Sequence, residues 1–233
     1  MRVLPDIAAC GTAGRLGSED ACDLWHAAAT YYQLLARATA CPTDDTAAAL
    51  EDGTTYAQAR EALSVLRPDL CDAILPDPSA QRWGSSAKED LRKEYTRLFS
   101  SPSGACVAPW ETLFCDPERS ASEYGHAILV RSPEAVDARK RYERAGAVPT
   151  TGESPDHMSI ECEFAGYLCR MIALEEDEER AQTWAEHLSS FAQTHLQRWF
   201  VPFFAQVHES ARHPYYEIMG AMGKEVGVIG PAA

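Results

Sequence analysis

The chain has 233 residues, 35 acidic against 21 basic side chains for a formal net charge of −14, and 45% hydrophobic residues. That length can bury a sizeable core, and the composition is that of a globular chain rather than a disordered one. The negative balance works against non-specific binding to nucleic acid, whose phosphates it repels, and suits either solubility or a basic partner segment. No window reaches the ~20 consecutive apolar residues of a membrane helix. The N-terminal apolar run is cut by Pro5 and Asp6, so no export leader is expected and a cytoplasmic location is.

Residues 1–17 hold three glycines and little periodicity, and are expected to form a flexible tail ahead of one domain over 18–233. From Ser18 or Asp20, either of which can cap a helix, the residues Leu24, Trp25, Ala28, Tyr31, Tyr32 and Leu35 recur at helical spacing. Pro42 and Thr43 interrupt, and two shorter helices are predicted over 44–51 and 54–66, before the break at Arg67–Pro68. Ser85 or Ser86 is placed to cap a helix carrying Leu91, Tyr95, Leu98 and Phe99 on one face. The stretch 100–118, with Pro102, Gly104, Pro109 and Pro117, reads as an ordered loop held down by Trp110 and Phe114.

Ser132–Pro133–Glu134 is a helix start, with a cap, a first-turn proline and a carboxylate near the positive dipole end; that helix should stop at Gly146. Ser154–Pro155–Asp156 repeats the same logic. A further helix is predicted from about 179 through Phe191, His195 and Trp199 to Pro202, and a last one beyond His213–Pro214. No alternating strand pattern or internal repeat is found, so the fold class is all-α, a single-domain bundle of about ten helices. The eight cysteines show no C-x-x-C spacing, which excludes a zinc ribbon or iron–sulfur motif and points to free thiols.

On a wheel begun at Ser154, Ile160, Phe164, Tyr167, Leu168, Met171 and Ile172 define an apolar arc, and His157 and Glu161 fall inside it, four residues apart. A carboxylate on a core-facing arc is costly unless it is paired or opens on a solvent-filled groove. Asp156, His157 and Glu161 therefore either form the polar end of a binding cleft or cap and brace the helix start.

Two segments carry a family resemblance. The run LRKEYTRLFSSPSGACVAPWETLF, from Leu91 to Phe114, is followed some forty residues later by PDHMSIECEF, from Pro155 to Phe164. Together they resemble the TorD/DmsD/NarJ redox-enzyme maturation chaperones, with Thr112 standing where serine is usual and Cys162 where leucine is. Tyr142 with Gly146, and His195–Leu196 with Trp199 and Pro202, extend the likeness.

The resemblance implies a cytoplasmic, non-enzymatic helical chaperone. Its partner would be the precursor of a molybdenum-cofactor oxidoreductase of the DMSO/TMAO reductase type together with its twin-arginine leader, and it would bind no cofactor of its own. The Asp156–His157 pair matches the family's leader-binding pair. A leader offers two guanidinium groups and then an apolar run, so its receptor needs carboxylates beside an apolar groove. Glu94, Glu111, Asp156, Glu161 and Glu163 are candidates for the first, with His157 at the same polar end; Tyr95, Phe99, Trp110, Phe164 and Leu168 are candidates for the second.

Two alternatives stay open. One is a NarJ-like assembly chaperone for a reductase subunit that is not exported. The other is a small all-α metal-dependent enzyme. For the latter no H-E-x-x-H is present, His187 and His195 are eight residues apart, and no stoichiometric metal and no catalytic residue are expected. Cys162, flanked by Glu161 and Glu163, is a poor nucleophile because neighbouring carboxylates raise a thiol pKa. No phosphate-binding glycine loop opens a helix after a strand.

Overall fold

The computed structural model describes residues 19–75, 83–100, 105–120 and 131–231. The expected tail and the Ser18 cap lie outside the described residues. Within them the chain forms twelve α-helical segments, two of which run on through π turns, and no strand; the all-α expectation holds.

The first helix, α1 (Glu19–Thr39), is the spine. Trp25, Ala28, Tyr31, Tyr32 and Leu35 are buried as their spacing predicts. Two of these aromatics carry a polar tip into the interior, and both tips are satisfied: Tyr31 donates to the Gly227 carbonyl at 2.9 Å and Tyr32 to the Ile229 carbonyl at 2.7 Å. The short helices α2 (Asp44–Glu51) and α3 (Thr54–Leu66) have the predicted bounds. Thr43 caps α2 by accepting from Thr46 N at 3.2 Å, and Gly53, at φ 82°, takes the left-handed turn between the two. The fourth helix, α4 (Pro68–Ile74), starts on its proline.

Helix α5 (Lys88–Tyr95) continues through a π turn, Thr96–Ser100. Its N-cap is Ala87 rather than Ser85 or Ser86, although the Ser85 hydroxyl accepts from Ala87 N at 3.2 Å. Of the proline-rich stretch expected to be a loop, residues 101–104 lie outside the described residues, and the remainder contains two short helical segments, α6 (Glu111–Cys115) and α7 (Pro117–Ser120). Helix α8 (Pro133–Arg144) is capped by Ser132, which accepts from Ala135 N at 3.0 Å, and the chain turns at Gly146.

Helix α9 (Met158–Leu174) lies along α1, with the bare Cα of Gly166 against the Ala29 carbonyl. It begins later than the Ser154–Pro155–Asp156 pattern predicts, because His157 serves as its N-cap, Nδ1 accepting from Ser159 N at 3.2 Å. Helix α10 (Glu178–Phe191), a π turn (Ala192–Leu196) and α11 (Gln197–Ser210) form one continuous rod. Pro202 lies inside α11 instead of ending it. Its missing N–H costs one helical bond, which is offset by the burial of Trp199, Phe200, Phe203 and Phe204, each worth roughly 1.5–3 kcal/mol. The last helix, α12 (Pro214–Val226), packs on α11 through Gly220 and Gly223, which let the backbone of His208 and the ring of Phe204 approach where a Cβ would collide.

Candidate functional site

The two motif segments, far apart in sequence, are sewn together. Residues 109–111 run antiparallel to 156–158: Met158 N donates to the Pro109 carbonyl at 2.8 Å and Glu111 N to the Asp156 carbonyl at 2.9 Å. The indole of Trp110 meets the His157 imidazole edge-on at 5.6 Å, and Tyr142 donates to the Pro155 carbonyl at 2.6 Å from the other side.

Around this seam lies a first buried polar node, centred on Asp156. Its Oδ2 accepts from Thr112 N at 3.1 Å and from the Thr112 hydroxyl, while Oδ1 accepts from Ser154. The Thr112 hydroxyl is also 2.7 Å from Ser132, the α8 cap, so one carboxylate ties together the starts of α6, α8 and α9. Burial pushes the Asp156 carboxyl above its ordinary range and outweighs the hydrogen bonds that oppose it. Burial likewise lowers His157 to about 4, so its imidazole is neutral at pH 7.

A second node joins α6 and α9 to the π turn. Glu111 Oε2 is 2.7 Å from His195 Nδ1, and Oε1 accepts from Arg198 at 2.7 Å. His195 Nε2 lies 3.1 Å from Asp137 on α8, which Arg141 also holds at 2.6 Å. Glu161 Oε2 accepts from the Trp199 indole at 3.0 Å, while its Oε1, fully buried, has no hydrogen-bond partner among the described residues. Burial, and then the neighbouring charge of Glu111, raise the Glu161 carboxyl well above the usual carboxylate range, and the Trp199 bond only partly opposes this. Glu111, Glu161 and His195 each place one donor atom within 4.8 Å of the other two, the only such group of metal-binding side chains among the described residues.

Of the residues singled out in the sequence, Asp156, His157, Glu111, Glu161, Phe99, Phe164, Leu168 and Tyr95 are all buried. Trp110 is half-buried and Glu163 exposed. His157 and Glu161, though four apart, do not bond each other: His157 turns back on Ser159 and Glu161 goes to Trp199. Glu94 is also committed, accepting from Arg97 at 2.7 and 2.8 Å and from the backbone of Arg212 and His213. These bonds overcome burial and hold its carboxyl below the ordinary value. The described cysteines are free thiols, and burial, followed by the charges of Glu161 and Glu163, pushes Cys162 up, as befits a packing residue. Sequence reasoning missed Thr112, Ser132 and Ser154 as members of one network, and Asp137, Arg198 and Trp199 as partners of the second. Only Ser132 and Ser154, each just before a proline, carried a local signal.

The two nodes give the helical frame a polar centre that is bonded largely within itself, beneath a half-buried tryptophan. The chain belongs to the nitrate reductase delta subunit family, whose model matches residues 53–205, more than half of its length. This is the family of TorD/NarJ-type redox-enzyme maturation chaperones. Among solved structures, a protein assigned to redox-enzyme maturation from Archaeoglobus fulgidus aligns over 85% of this chain and 93% of its own, at 20% identity and a TM-score of 0.47. No curated protein matches this chain. No helix among the described residues is long and apolar enough to cross a membrane.

Proposed function

We propose that this chain is a cytoplasmic chaperone that binds the twin-arginine leader, the apo body, or both, of a molybdenum-cofactor oxidoreductase, and holds it until maturation is complete. The observation that carries this reading is the seam between residues 109–111 and 156–158. It unites the two motif segments and leaves the Trp110 indole partly exposed on their joint surface. In this reading Trp110 meets the apolar run of the leader and Glu163 offers an exposed carboxylate to a guanidinium. The buried Asp156, His157, Glu111 and Glu161 set the position of the seam, while Tyr95, Phe99, Phe164 and Leu168 support it from the core.

The test is titration calorimetry with a synthetic leader peptide. Trp110→Ala is expected to weaken binding at least tenfold, about 1.4 kcal/mol, with an unchanged circular dichroism spectrum. Affinity should also fall with salt, because exposed charge pairs are screened beyond ~8 Å at physiological ionic strength. Equal affinities for the variant and the parent would refute this placement.

The match to the nitrate reductase delta family favours one second reading, an assembly chaperone for a reductase subunit without an export leader. Capture of clients on the tagged chain separates the two. A precursor with its leader intact supports the first, and a leaderless reductase subunit supports the second.

A further inference from the structure

We propose that Glu111, Glu161 and His195 form a binding site for one first-row divalent cation, a site distinct in role from client recognition and contrary to the metal-free expectation from sequence. One oxygen of each glutamate and one ring nitrogen of His195 lie within 4.8 Å of one another, and all three residues are at most 1% exposed. Donors bonded at ~2.0–2.2 Å to one ion stand roughly 3–4 Å apart, so the three need to shift by less than about 1 Å.

The surroundings of these side chains are what distinguish them from a chance cluster of acids. Each candidate ligand has its other polar atom tied to an outer partner: Glu111 Oε1 to Arg198, Glu161 Oε2 to the Trp199 indole, and His195 Nε2 to Asp137. A carboxylate behind a ligating imidazole is the usual way of fixing ring orientation and basicity at a metal. Facing one another inside this ring are Glu161 Oε1 and the pair Glu111 Oε2 and His195 Nδ1, which bond each other at 2.7 Å and would exchange that bond for the ion. Glu161 Oε1 is fully buried without a hydrogen-bond partner among the described residues, a costly arrangement that a cation would satisfy.

His195 also sits on the π turn Ala192–Leu196, where an extra residue in the helical turn re-aims its side chain, with the Phe191 ring 4.9 Å away on one side. Two carboxylates balance a divalent charge, and the charges of Arg198 and Asp137 behind them offset each other. One imidazole nitrogen with two carboxylate oxygens suits zinc, iron(II) or manganese(II) better than calcium or copper(I). The side chains of Arg198 and Asp137 are 46% and 44% exposed, so an ion reaches the cluster past a single layer of side chains.

The test uses the full chain, stripped with a chelator under reducing conditions and alkylated so that exposed thiols such as Cys41, Cys106 and Cys115 cannot bind metal. Dialysis against zinc and elemental analysis should find one equivalent. Glu161→Gln and His195→Gln should each lower affinity at least tenfold, whereas His187→Gln should retain it. X-ray absorption on the zinc-loaded parent chain, independent of whether the variants fold, should show only nitrogen and oxygen neighbours near ~2.0–2.1 Å. Failure to take up zinc or manganese, loss of uptake on alkylation, a sulfur neighbour near ~2.3 Å, or full occupancy in Glu161→Gln would each overturn the proposal.

Discussion

His157 provides the most quantitative handle on this fold. Burial lowers its imidazole to about 4, whereas the unfolded chain holds it near the ordinary value of about 6.5. As pH falls below about 6.5 the unfolded state takes up a proton that the native state refuses until about 4, so stability is lost across that window and is level on either side. At 1.36 kcal/mol per pH unit the loss approaches about 3 kcal/mol, a large share of the roughly 5–15 kcal/mol of a typical domain. The Asp156 and Glu161 carboxyls, raised by burial, act in the opposite sense: the unfolded state gives up their protons first, and stability declines as pH rises.

The His157 contribution is isolated by comparison with His157→Asn. Asparagine is a good N-cap and can still accept from Ser159 N, but it does not titrate. It also loses the edge-on contact with Trp110, about 1 kcal/mol at all pH values. Urea unfolding followed by circular dichroism should find the variant the less stable at pH 7.5 and the more stable near pH 4.5. Parallel stability curves for the two chains from pH 7.5 to 4.5 would show that His157 is not held neutral by burial, and the reasoning would fail.

Glu161→Gln in metal-free protein should fold normally, and its stability relative to the parent should improve steadily as pH rises from about 4.5, because only the parent then bears the cost of a buried carboxyl kept protonated; a pH-independent difference in urea midpoints would contradict this. Gly223→Ala would place a Cβ 2.2 Å from Phe204 Cγ, in a ring with no room to move, and should cost about 2–3 kcal/mol, lowering the thermal midpoint by several degrees. Gly146→Ala, at φ 71° with open space around it, should cost only about 1 kcal/mol, and calorimetry of the two variants gives the ranking.

Where structure follows from neighbours in sequence, it was legible. Thr43 before α2, Ser132–Pro133 before α8 and the left-handed Gly53 and Gly146 act within a few residues, and the helix bounds they set match the reading of the residues. Pro202 failed as a stop signal because the aromatic residues around it bury more than one missing helical bond costs. The candidate residues could be named from the sequence, but the geometry that joins them could not be read there. Glu111 and His195 stand 84 positions apart, and Thr112 and Asp156 44 apart, so no periodicity links them. Carboxylates are assigned by default to surfaces, and nothing local shows that Asp156, Glu111 and Glu161 have enough donors to go inside.

That burial changes what a substitution in the motif can mean. Loss of client binding in an Asp156 variant has two explanations, a lost contact or a loosened seam, and one variant cannot tell them apart. Thr112→Val supplies the comparison: it removes the hydroxyl that joins Asp156 to Ser132, buried and beyond the reach of any client, at an expected cost of about 1–3 kcal/mol. If Asp156 acts by holding residues 109–111 against 156–158, Asp156→Asn and Thr112→Val will reduce client affinity in proportion to their loss of stability. Both should then recover affinity when a stabilising osmolyte restores the fold, whereas Trp110→Ala will lose affinity at unchanged stability and recover nothing. An Asp156→Asn chain that binds much more weakly than Thr112→Val at matched stability would mean that the carboxylate reaches the client itself, in a conformation more open than this one.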